Sequence, residues 1–494
     1  MNALKDVASV NAYDRVRYPG VPQPSSHPAT MGALACLYGR DFASPSRCRV
    51  LEVGCGDGAN LLSMAATSPQ SQFVGFDLAE TAIAHARATA DAAGLTNVEL
   101  LVMDIRDASV SLGEFDYIIA HGVYAWVPAP VREALMLLIN RTLAPSGLAF
   151  VSYNAMPGSR VRQIVRDILL DRIRCGTEVS DKFAVAKECM EFYAGAWAGQ
   201  DPVRKAMREE MVETLQRPPA VLFHDEMGEI FEPQFVSHVA AHAAKHGLQY
   251  LCDCRPALST EAFFPSEGKS DLRQRANGDW VRCEQLHDYV NLTRFRRTVL
   301  CRDDGAIDRR TECTRLQHLH AQGRFRQEDP KKHNSEAFVF LADDSGSPVS
   351  TTNANLAMLI GRIGAADPSA IPLQGAITGR EIGEAILRLF LGGLLSLLTE
   401  PFVFTLAPGE RPLASALART QASRGETRLS TLRHTVVEVT DPESRHFITL
   451  LDGTLSRGEL ATEMAHFSNA PTAAVAGRLD DILTRLARTA LLIS

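Results

Sequence analysis

The stretch RVLEVGCGDGAN, from Arg49 to Asn60, decides the fold, because an apolar run breaks there into three alternating glycines. Further short apolar runs follow it, and segments with helical spacing separate them. The runs are CRVLEV, SQFVGFD ending at Asp77, NVELLVMD ending at Asp104, FDYIIAHG ending at Gly122 and GLAFVSYN ending at Asn154. Strand and helix in alternation predict an α/β fold with a doubly wound parallel sheet, which binds ligands at the carboxyl ends of its strands.

The glycine loop narrows the class of ligand. A dinucleotide-binding loop reads GxGxxG, and a phosphate-binding loop ends in Gly-Lys-Ser/Thr. Here Glu52 precedes Gly54, Gly56 and Gly58, and the third glycine comes one position earlier than in the dinucleotide pattern. The loop continues to Asn60 without a lysine. This pattern indicates a ligand without a polyphosphate. It resembles motif I of the class I methyltransferases that use S-adenosylmethionine.

Acidic residues at the next two strand ends support this interpretation. Asp77 follows Gly58 by 19 positions, where a carboxylate accepts both ribose hydroxyls of such a ligand. Asp104 ends the third strand, where we expect an acid near the adenine amine and Ile105 against the ring. The donor's sulfonium is cationic, so acidic and aromatic walls suit it. The predicted cofactor-binding residues are Glu52, Gly54, Gly56, Gly58, Asp77, Leu78, Asp104, Ile105 and His121.

The ends of the fourth and fifth strands, AHGVYAWV and VSYNAMPGS, predict the acceptor side. They bring His121, Tyr124, Trp126, Tyr153 and Asn154 to one rim of the sheet. We expect this cluster to hold an ammonium by cation–π contact, to orient it with the Asn154 carbonyl and to exclude water. The predicted catalytic groups are His121, Tyr153 and Asn154. Two roles stay open for His121: a hydrogen bond to the donor's carboxylate or to the backbone, and proton removal. For Tyr124 and Trp126, a structural role in the core also stays open.

These two loops resemble those of the bacterial methyltransferases that carry a regulatory domain, whose best-described members are the rickettsial outer-membrane-protein lysine methyltransferases. Further similar segments are YDRVRYPGVPQPSSHP from Tyr13, FHDEM from Phe223, HGLQYLCD from His246, RFRRTVLCR from Arg294, ERPLASALARTQA and LLDGTLSRGEL. The resemblance implies S-adenosyl-L-methionine as cofactor and in-line methyl transfer to lysine side chains of a protein. It also implies an N-terminal lid whose Tyr13 and Tyr18 contact substrate, a winged-helix-like C-terminal part, and a homodimer.

Four segments are predicted along the chain. Residues 1–30 form the N-terminal lid, and residues 31–160 form the Rossmann-like methyltransferase core. A mainly helical middle domain covers 161–330, because from about Arg160 to Leu215 the chain is charge-rich and has no strand runs. A C-terminal domain covers 335–494. RFRRTVLCR is expected to be a solvated helix face or an interface that pairs with acids.

Composition limits the partners. The net charge is -7, and residues 431–494 contain six Arg, no Lys and eight Asp plus Glu, so we expect no nucleic acid. The most lipophilic run, AILRLFLGGLLSLL, is short and contains Arg388, and the N-terminus lacks a signal pattern; these features predict a cytoplasmic protein without a membrane contact. Ten cysteines include no CxxC pair, and Cys252-x-Cys254 has no second pair beside it, so no metal site is predicted.

Two other functions stay open. The chain is alternatively a small-molecule N- or O-methyltransferase of a biosynthetic pathway. It is otherwise a donor-binding regulatory or scaffold protein without turnover, since binding a donor and transferring its methyl group are separate requirements.

Overall fold

The computed structural model describes residues 12–173, 179–199, 201–255, 272–309, 312–329, 337–342 and 346–494. A seven-stranded sheet lies at its centre. Its strands are β1 (Arg49–Val53), β2 (Gln72–Asp77), β3 (Val98–Val102), β4 (Phe115–Ala120), β5 (Leu143–Asn154), β6 (Leu248–Asp253) and β7 (Phe295–Arg302). The order is β3-β2-β1-β4-β5-β7-β6, and β7 runs antiparallel to both of its neighbours. The predicted doubly wound α/β sheet is confirmed.

Helices cover both faces of this sheet, because its strands are apolar on both sides. On β1, Val50 faces one hydrophobic cluster and Leu51 the other. The first cluster is covered by α2 (Pro28–Leu37), α3 (Ala59–Thr67) and α4 (Glu80–Ala92), and the second by α5 (Ala129–Thr142) and α10 (Val236–Lys245). A short helix, α1 (Ala12–Arg15), precedes them.

The middle region is mainly helical, as expected, and it also contains two strands. Its helices are α6 (Arg160–Ile173), α7 (Val179–Ala196), α8 (Pro202–Leu215), α9 (Pro219–Asp225), α10, α11 (Leu272–Arg275) and α12 (Trp280–Asn291). The same region also supplies β6 and β7, which complete the central sheet. RFRRTVLCR is strand β7 and not a helix face, although its arginines do pair with acids, as in Arg294–Glu210 and Arg296–Glu284.

The expected C-terminal segment contains parts of two structural units. The first has its own core, which reaches back to Leu316 and includes Leu37 of α2. Its elements are β8 (His320–Gln322), β9 (Phe325–Glu328), β10 (Phe338–Ala342), β11 (Ser347–Thr351), α13 (Ala354–Ala366), β12 (Ile371–Pro372), α14 (Arg380–Leu391) and β13 (Ser396–Leu398). The domain boundaries stay predictions. This core contains residues on both sides of the boundary expected near residue 335.

The last unit combines helices with a small hairpin, as a winged helix does. Its elements are α15 (Ala416–Ser423), β14 (Arg428–Ser430), β15 (Val436–Glu438), α16 (Pro442–Leu450), α17 (Arg457–Ser468) and α18 (Thr472–Arg488). Arg424, just after α15, donates hydrogen bonds to Thr89 and to the Ala88 carbonyl at the end of α4. The C-terminal unit therefore docks on the helices that flank the glycine loop. Among the described residues, no helix is long and apolar enough to cross a bilayer.

Candidate functional site

The glycine loop joins β1 to α3 in a conformation that needs glycine at three positions. Gly54, Gly56 and Gly58 have φ angles of 69°, 55° and 76°, in the left-handed region that side chains rarely adopt. A Cβ on Gly54 would lie 2.7 Å from Cγ2 of Val123, so close packing also requires glycine there. A Cβ on Gly56 would meet no atom within 4 Å. Gly56 therefore borders open space at the carboxyl end of β1, where a ligand is expected.

Asp77, at the end of β2, is held in place by the same loop. Its Oδ2 accepts a hydrogen bond from the Gly56 N–H at 2.9 Å, and its Oδ1 accepts one from the Ala79 N–H at 2.9 Å. Burial raises the pKa of Asp77, and these backbone bonds oppose that rise. Each carboxylate oxygen keeps a further lone pair. The side chain can therefore accept hydroxyl groups of a ligand that lies over Gly56.

Glu52, the acid of the motif, is buried within β1. Asn60 Nδ2 donates to its Oε1 at 2.9 Å, whereas its Oε2 has no hydrogen-bond partner. Burial, together with the nearby Asp57 and Asp77 carboxylates, raises the pKa of Glu52 to about 8. An unpartnered buried carboxylate oxygen is costly, and a cationic group beside it would remove that cost. Together with the open space at Gly56, this fits a donor that carries an ammonium group.

The end of β3 presents the remaining predicted donor residues. Arg106 forms an ion pair with Asp104, with Nη2 to Oδ2 at 2.6 Å, and lowers the pKa of that carboxyl group. Ile105 packs partly buried against the second cluster of the sheet, while the Leu78 side chain is largely exposed. Asp104 is thus ionised, and Arg106 donates hydrogen bonds to both of its oxygens.

His121 follows β4, and Ser152 contacts its ring. The Ser152 Oγ accepts the Gly122 N–H at 2.9 Å and lies 2.8 Å from His121 Nδ1. Where the Ser152 hydroxyl donates to Nδ1, the proton of the neutral ring is on Nε2. Burial, helped by Arg297, lowers the pKa of His121 to about 4. A ring with so low a pKa is a weak base at neutral pH, which argues against the predicted role in proton removal.

The last two residues of β5 point to opposite faces of the sheet, as successive residues of a strand do. Tyr153 is fully buried, and its hydroxyl lies 3.0 Å from Thr298 Oγ1 within the second cluster. This placement argues against substrate contact by Tyr153. Asn154 is also buried, but its Oδ1 has no hydrogen-bond partner. Asn154 therefore keeps a free acceptor at the strand end.

Tyr124 and Trp126 support the rim and do not line it. The Tyr124 hydroxyl lies 2.6 Å from His242 Nδ1, and the ring is buried. Trp126 packs on Phe231 with ring centroids 4.8 Å apart, and Arg162 lies over its ring. Both aromatic rings already have partners from the middle region, so of the two readings left open the supporting-core role fits this structure.

The N-terminal arm covers the Asp77 edge of the sheet. Tyr13 stacks on His224 of α9 with ring centroids 4.1 Å apart, and the Tyr18 ring meets His224 edge-on at 5.7 Å. Burial raises the pKa of both tyrosines, that of Tyr18 to about 12. The arm is also tied to α4, because Asp14 accepts hydrogen bonds from the Thr81 N–H and hydroxyl. The two tyrosines therefore close the arm onto the middle region.

A buried polar chain connects the glycine loop to the C-terminal unit. His434 Nε2 lies 2.9 Å from Asn60 Oδ1, and its Nδ1 lies 3.0 Å from Ser63 Oγ. The Gln23 N–H of the arm also donates to Asn60 Oδ1, at 2.7 Å. Because Asn60 also donates a hydrogen bond to Glu52, the arm and the C-terminal unit are both connected to the motif acid through Asn60.

Several residues of this site escaped the sequence analysis. Ser152 and Asn60 stood inside quoted motifs, and a search for partners of His121 and Glu52 would have found them. His224 lies in the FHDEM segment, but nothing there indicated a tyrosine partner. Arg297, whose buried Nη1 has no hydrogen-bond partner, and His434 gave no local signal.

We expect Glu52 to release a proton when the donor binds. A bound ammonium favours the carboxylate, so a pKa of about 8 falls on binding and up to one proton leaves at pH 7. Titration calorimetry in two buffers of different ionisation enthalpy measures this number. Glu52→Gln should release almost none, and the exposed Glu99→Gln should behave as wild type. Equal proton release by wild type and Glu52→Gln would contradict the assignment.

Three family models match this chain. Residues 50–147 match a methyltransferase domain, residues 218–302 a predicted methyltransferase regulatory domain, and residues 410–480 the PKMT C-terminal winged helix domain. Together they cover the glycine loop, strands β1 to β4, strands β6 and β7, and the C-terminal unit.

Relatives and solved structures extend these matches. An uncharacterized protein of Rickettsia prowazekii is 33% identical over 310 residues, 63% of this chain, and the chain spans 56% of that relative. A second one from the same organism is 32% identical over 220 residues, which cover 44% of this chain and 88% of the relative. The structure of PKMT2 from Rickettsia typhi in complex with AdoHcy is 25% identical, with a TM-score of 0.84, over 97% of this chain and 100% of that one.

Proposed function

The chain belongs to the methyltransferase family that joins a class I core to a regulatory domain and a PKMT winged helix, and on this premise we propose that it methylates lysine side chains of a protein. Its methyltransferase domain uses S-adenosyl-L-methionine, as predicted. The observation that carries the lysine acceptor is the similarity to PKMT2 over nearly the whole chain, since PKMT denotes a protein lysine methyltransferase.

The donor site follows from the residues that fit each part of the ligand. Asp77 suits the ribose hydroxyls, Gly56 leaves room above the loop, and Glu52 suits the ammonium. His121 Nε2–H and the unpartnered Nη1 of Arg297 are the donors suited to its carboxylate. When bound, the ligand supplies an electrophilic methyl group on a sulfonium.

For the acceptor, the chain must bind and align a neutral amine. Free lysine has a pKa of about 10.4, and desolvation lowers it. His121 is a poor base because its pKa is about 4. We therefore propose that the lysine ammonium group loses its proton to solvent before the site excludes water. The free Oδ1 of Asn154 accepts an amine N–H and points the nitrogen lone pair away from itself. Rate acceleration then comes chiefly from alignment.

A labelled-donor assay tests this function. The protein is incubated with methyl-labelled S-adenosylmethionine and a protein extract, and the hydrolysate is analysed for methyl-lysine. We expect labelled ε-N-methyllysine, and none when the lysines of the extract have been acetylated beforehand. Label only in the small-molecule fraction would favour the biosynthetic alternative. Donor binding without label in either fraction would favour the scaffold alternative.

Asn154→Ala tests the acceptor side within the same assay. We expect kcat to fall by about 10- to 100-fold because the amine loses its orientation, while the donor Kd stays within about twofold. Asn355→Ala, at an exposed site in α13, is the matched control and should leave both constants unchanged. Unchanged kcat in Asn154→Ala would remove this residue from the proposal.

The remaining proposals concern partners and location. The nine cysteines described are all free, which fits a reducing compartment and supports the cytoplasmic location. The acidic balance of residues 431–494 supports protein contact over nucleic acid. The homodimer rests on the resemblance alone, and light scattering of the purified chain tests it.

A further inference from the structure

Three side chains with metal-ligating atoms converge where the methyltransferase core meets the middle region. Glu133 lies on α5, His242 lies in the last turn of α10, and His246 is the residue that caps the C-terminal end of α10. Glu133 Oε2 is 2.8 Å from His242 Nε2, and Glu133 Oε1 is 2.9 Å from His246 Nε2. The three ligand atoms lie within 4.8 Å of one another.

The residue types and spacing are those of a zinc-like site. Imidazole nitrogen and carboxylate oxygen are common zinc ligands, and histidines at positions i and i+4 of a helix present their rings on one face. Bonds of about 2.0–2.1 Å in tetrahedral geometry place ligand atoms about 3.3–3.4 Å apart. The two separations between Glu133 and the histidines, each to a different carboxylate oxygen, are about 0.5 Å shorter. Glu133 has a side chain that is 60% exposed, so it is free to move by that amount.

An outer partner fixes the first histidine. The hydroxyl of Tyr124 lies 2.6 Å from His242 Nδ1, so the Nε2 atom is turned toward Glu133. Such hydrogen bonds to the far ring nitrogen are typical of metal-bound histidines, because they orient the ring and set its tautomer. Tyr124 itself is buried in the loop after β4. The cluster is therefore supported from within the core.

Two plain histidine–carboxylate hydrogen bonds are the alternative explanation. They account well for His242, whose Nε2 makes a hydrogen bond to Glu133. They account less well for His246, whose Nε2 is buried and makes no hydrogen bond of acceptable geometry despite its 2.9 Å approach to Glu133. A metal ion between the three side chains would satisfy this nitrogen.

We propose that Glu133, His242 and His246 bind one divalent transition-metal ion of the zinc class, with water as the fourth ligand. Three protein ligands on two elements make the ion a clamp between α5 of the core and α10 of the middle region. Through Tyr124 the clamp also steadies the loop between β4 and α5. This site goes against the absence of a metal site expected from the sequence, and it is independent of the proposed methyl transfer.

The test uses the full chain after removal of bound metal, with Co²⁺ and Zn²⁺ as probes. We expect Co²⁺ to give visible d–d absorption bands that saturate at one ion per chain, and Zn²⁺ to displace it. His246→Ala and Glu133→Gln should each weaken binding by at least about tenfold. His238→Ala removes an exposed histidine from the same helix and should bind as wild type.

Zn²⁺ should also raise the thermal midpoint of wild type and of His238→Ala, but not that of His246→Ala. Glu133 and His238 are exposed, whereas the His246 side chain is only 12% exposed, so circular dichroism is used to verify that each variant folds. Absence of saturable Co²⁺ binding by folded wild type would overturn the proposal. So would equal binding by His246→Ala and His238→Ala, or thiolate-to-cobalt charge-transfer bands that place the ion on cysteines.

Discussion

Asp77→Ala should weaken S-adenosylmethionine binding by about 10- to 150-fold. The carboxylate suits the ribose hydroxyls, and hydrogen bonds to a charged group are worth about 1.5–3 kcal/mol, which corresponds to this range. The substitution also removes the acceptor of the Gly56 N–H at 2.9 Å, so the glycine loop loses its anchor. Isothermal titration of the donor and of its demethylated product measures the combined loss of affinity from the missing ribose contact and the missing loop anchor.

Asp116→Ala is the matched control for this substitution. Asp116 Oδ2 also accepts a backbone hydrogen bond, from the Arg49 N–H at 2.8 Å, but it lies at the start of β4, at the opposite edge of the sheet. We expect a similar small loss of stability and an unchanged donor Kd. If Asp77→Ala binds the donor like wild type while folded, the ribose assignment is wrong.

Arg296→Met should destabilise the folded chain by about 3–5 kcal/mol, the range for breaking a buried ion pair. Arg296 is fully buried on β7, with Nη1 2.6 Å from Glu284 Oε2 and Nη2 2.9 Å from Asp288 Oδ1. Asp253 lies 3.7 Å from Nη1. Without the guanidinium, three buried carboxyl groups face one another. The urea midpoint, followed by circular dichroism, should fall sharply, and an unchanged midpoint would refute this account.

Asp288→Asn is the matched control, and it carries a pH signature. Burial raises the pKa of Asp288 from 3.8 to about 6, so the folded state binds this proton more tightly than the unfolded state does. The stability that this group contributes is therefore present at low pH and is lost as pH rises from about 4 to about 6. Asp288→Asn should remove that loss, so the urea midpoint of this variant should change less between about pH 4 and about pH 6 than that of wild type. A midpoint as low as that of Arg296→Met would show that the arginine is not the essential member.

The alternation of side chains along a strand predicts the positions of some site residues, but the grouping of polar residues at one rim was wrong for others. Ser152 and Asn154 share a face of β5, whereas Tyr153 points to the opposite face, next to Thr298. Because side chains alternate along a strand, Tyr153 should lie on the face opposite to Asn154. From the sequence motif, both side chains are instead expected at one rim. Strand β7 is not predicted because four arginines in RFRRTVLCR indicate a solvated helix face or an interface that pairs with acids. Arg296 is instead buried among carboxylates, and the strand is hidden within FRRTVLCR.

The sequence by itself determined the class of the protein, its doubly wound core and its methyl donor. These depend on features that a few neighbouring residues carry, namely glycines with positive φ, apolar strands and acids at the ends of the second and third strands. Only the tertiary structure decided which groups meet. Tyr13 reaches His224, Glu52 is linked through Asn60 to His434, and Glu133 faces His242. Such contacts join residues far apart in the chain, because the whole fold must bury its apolar surfaces and pair its buried polar groups at once.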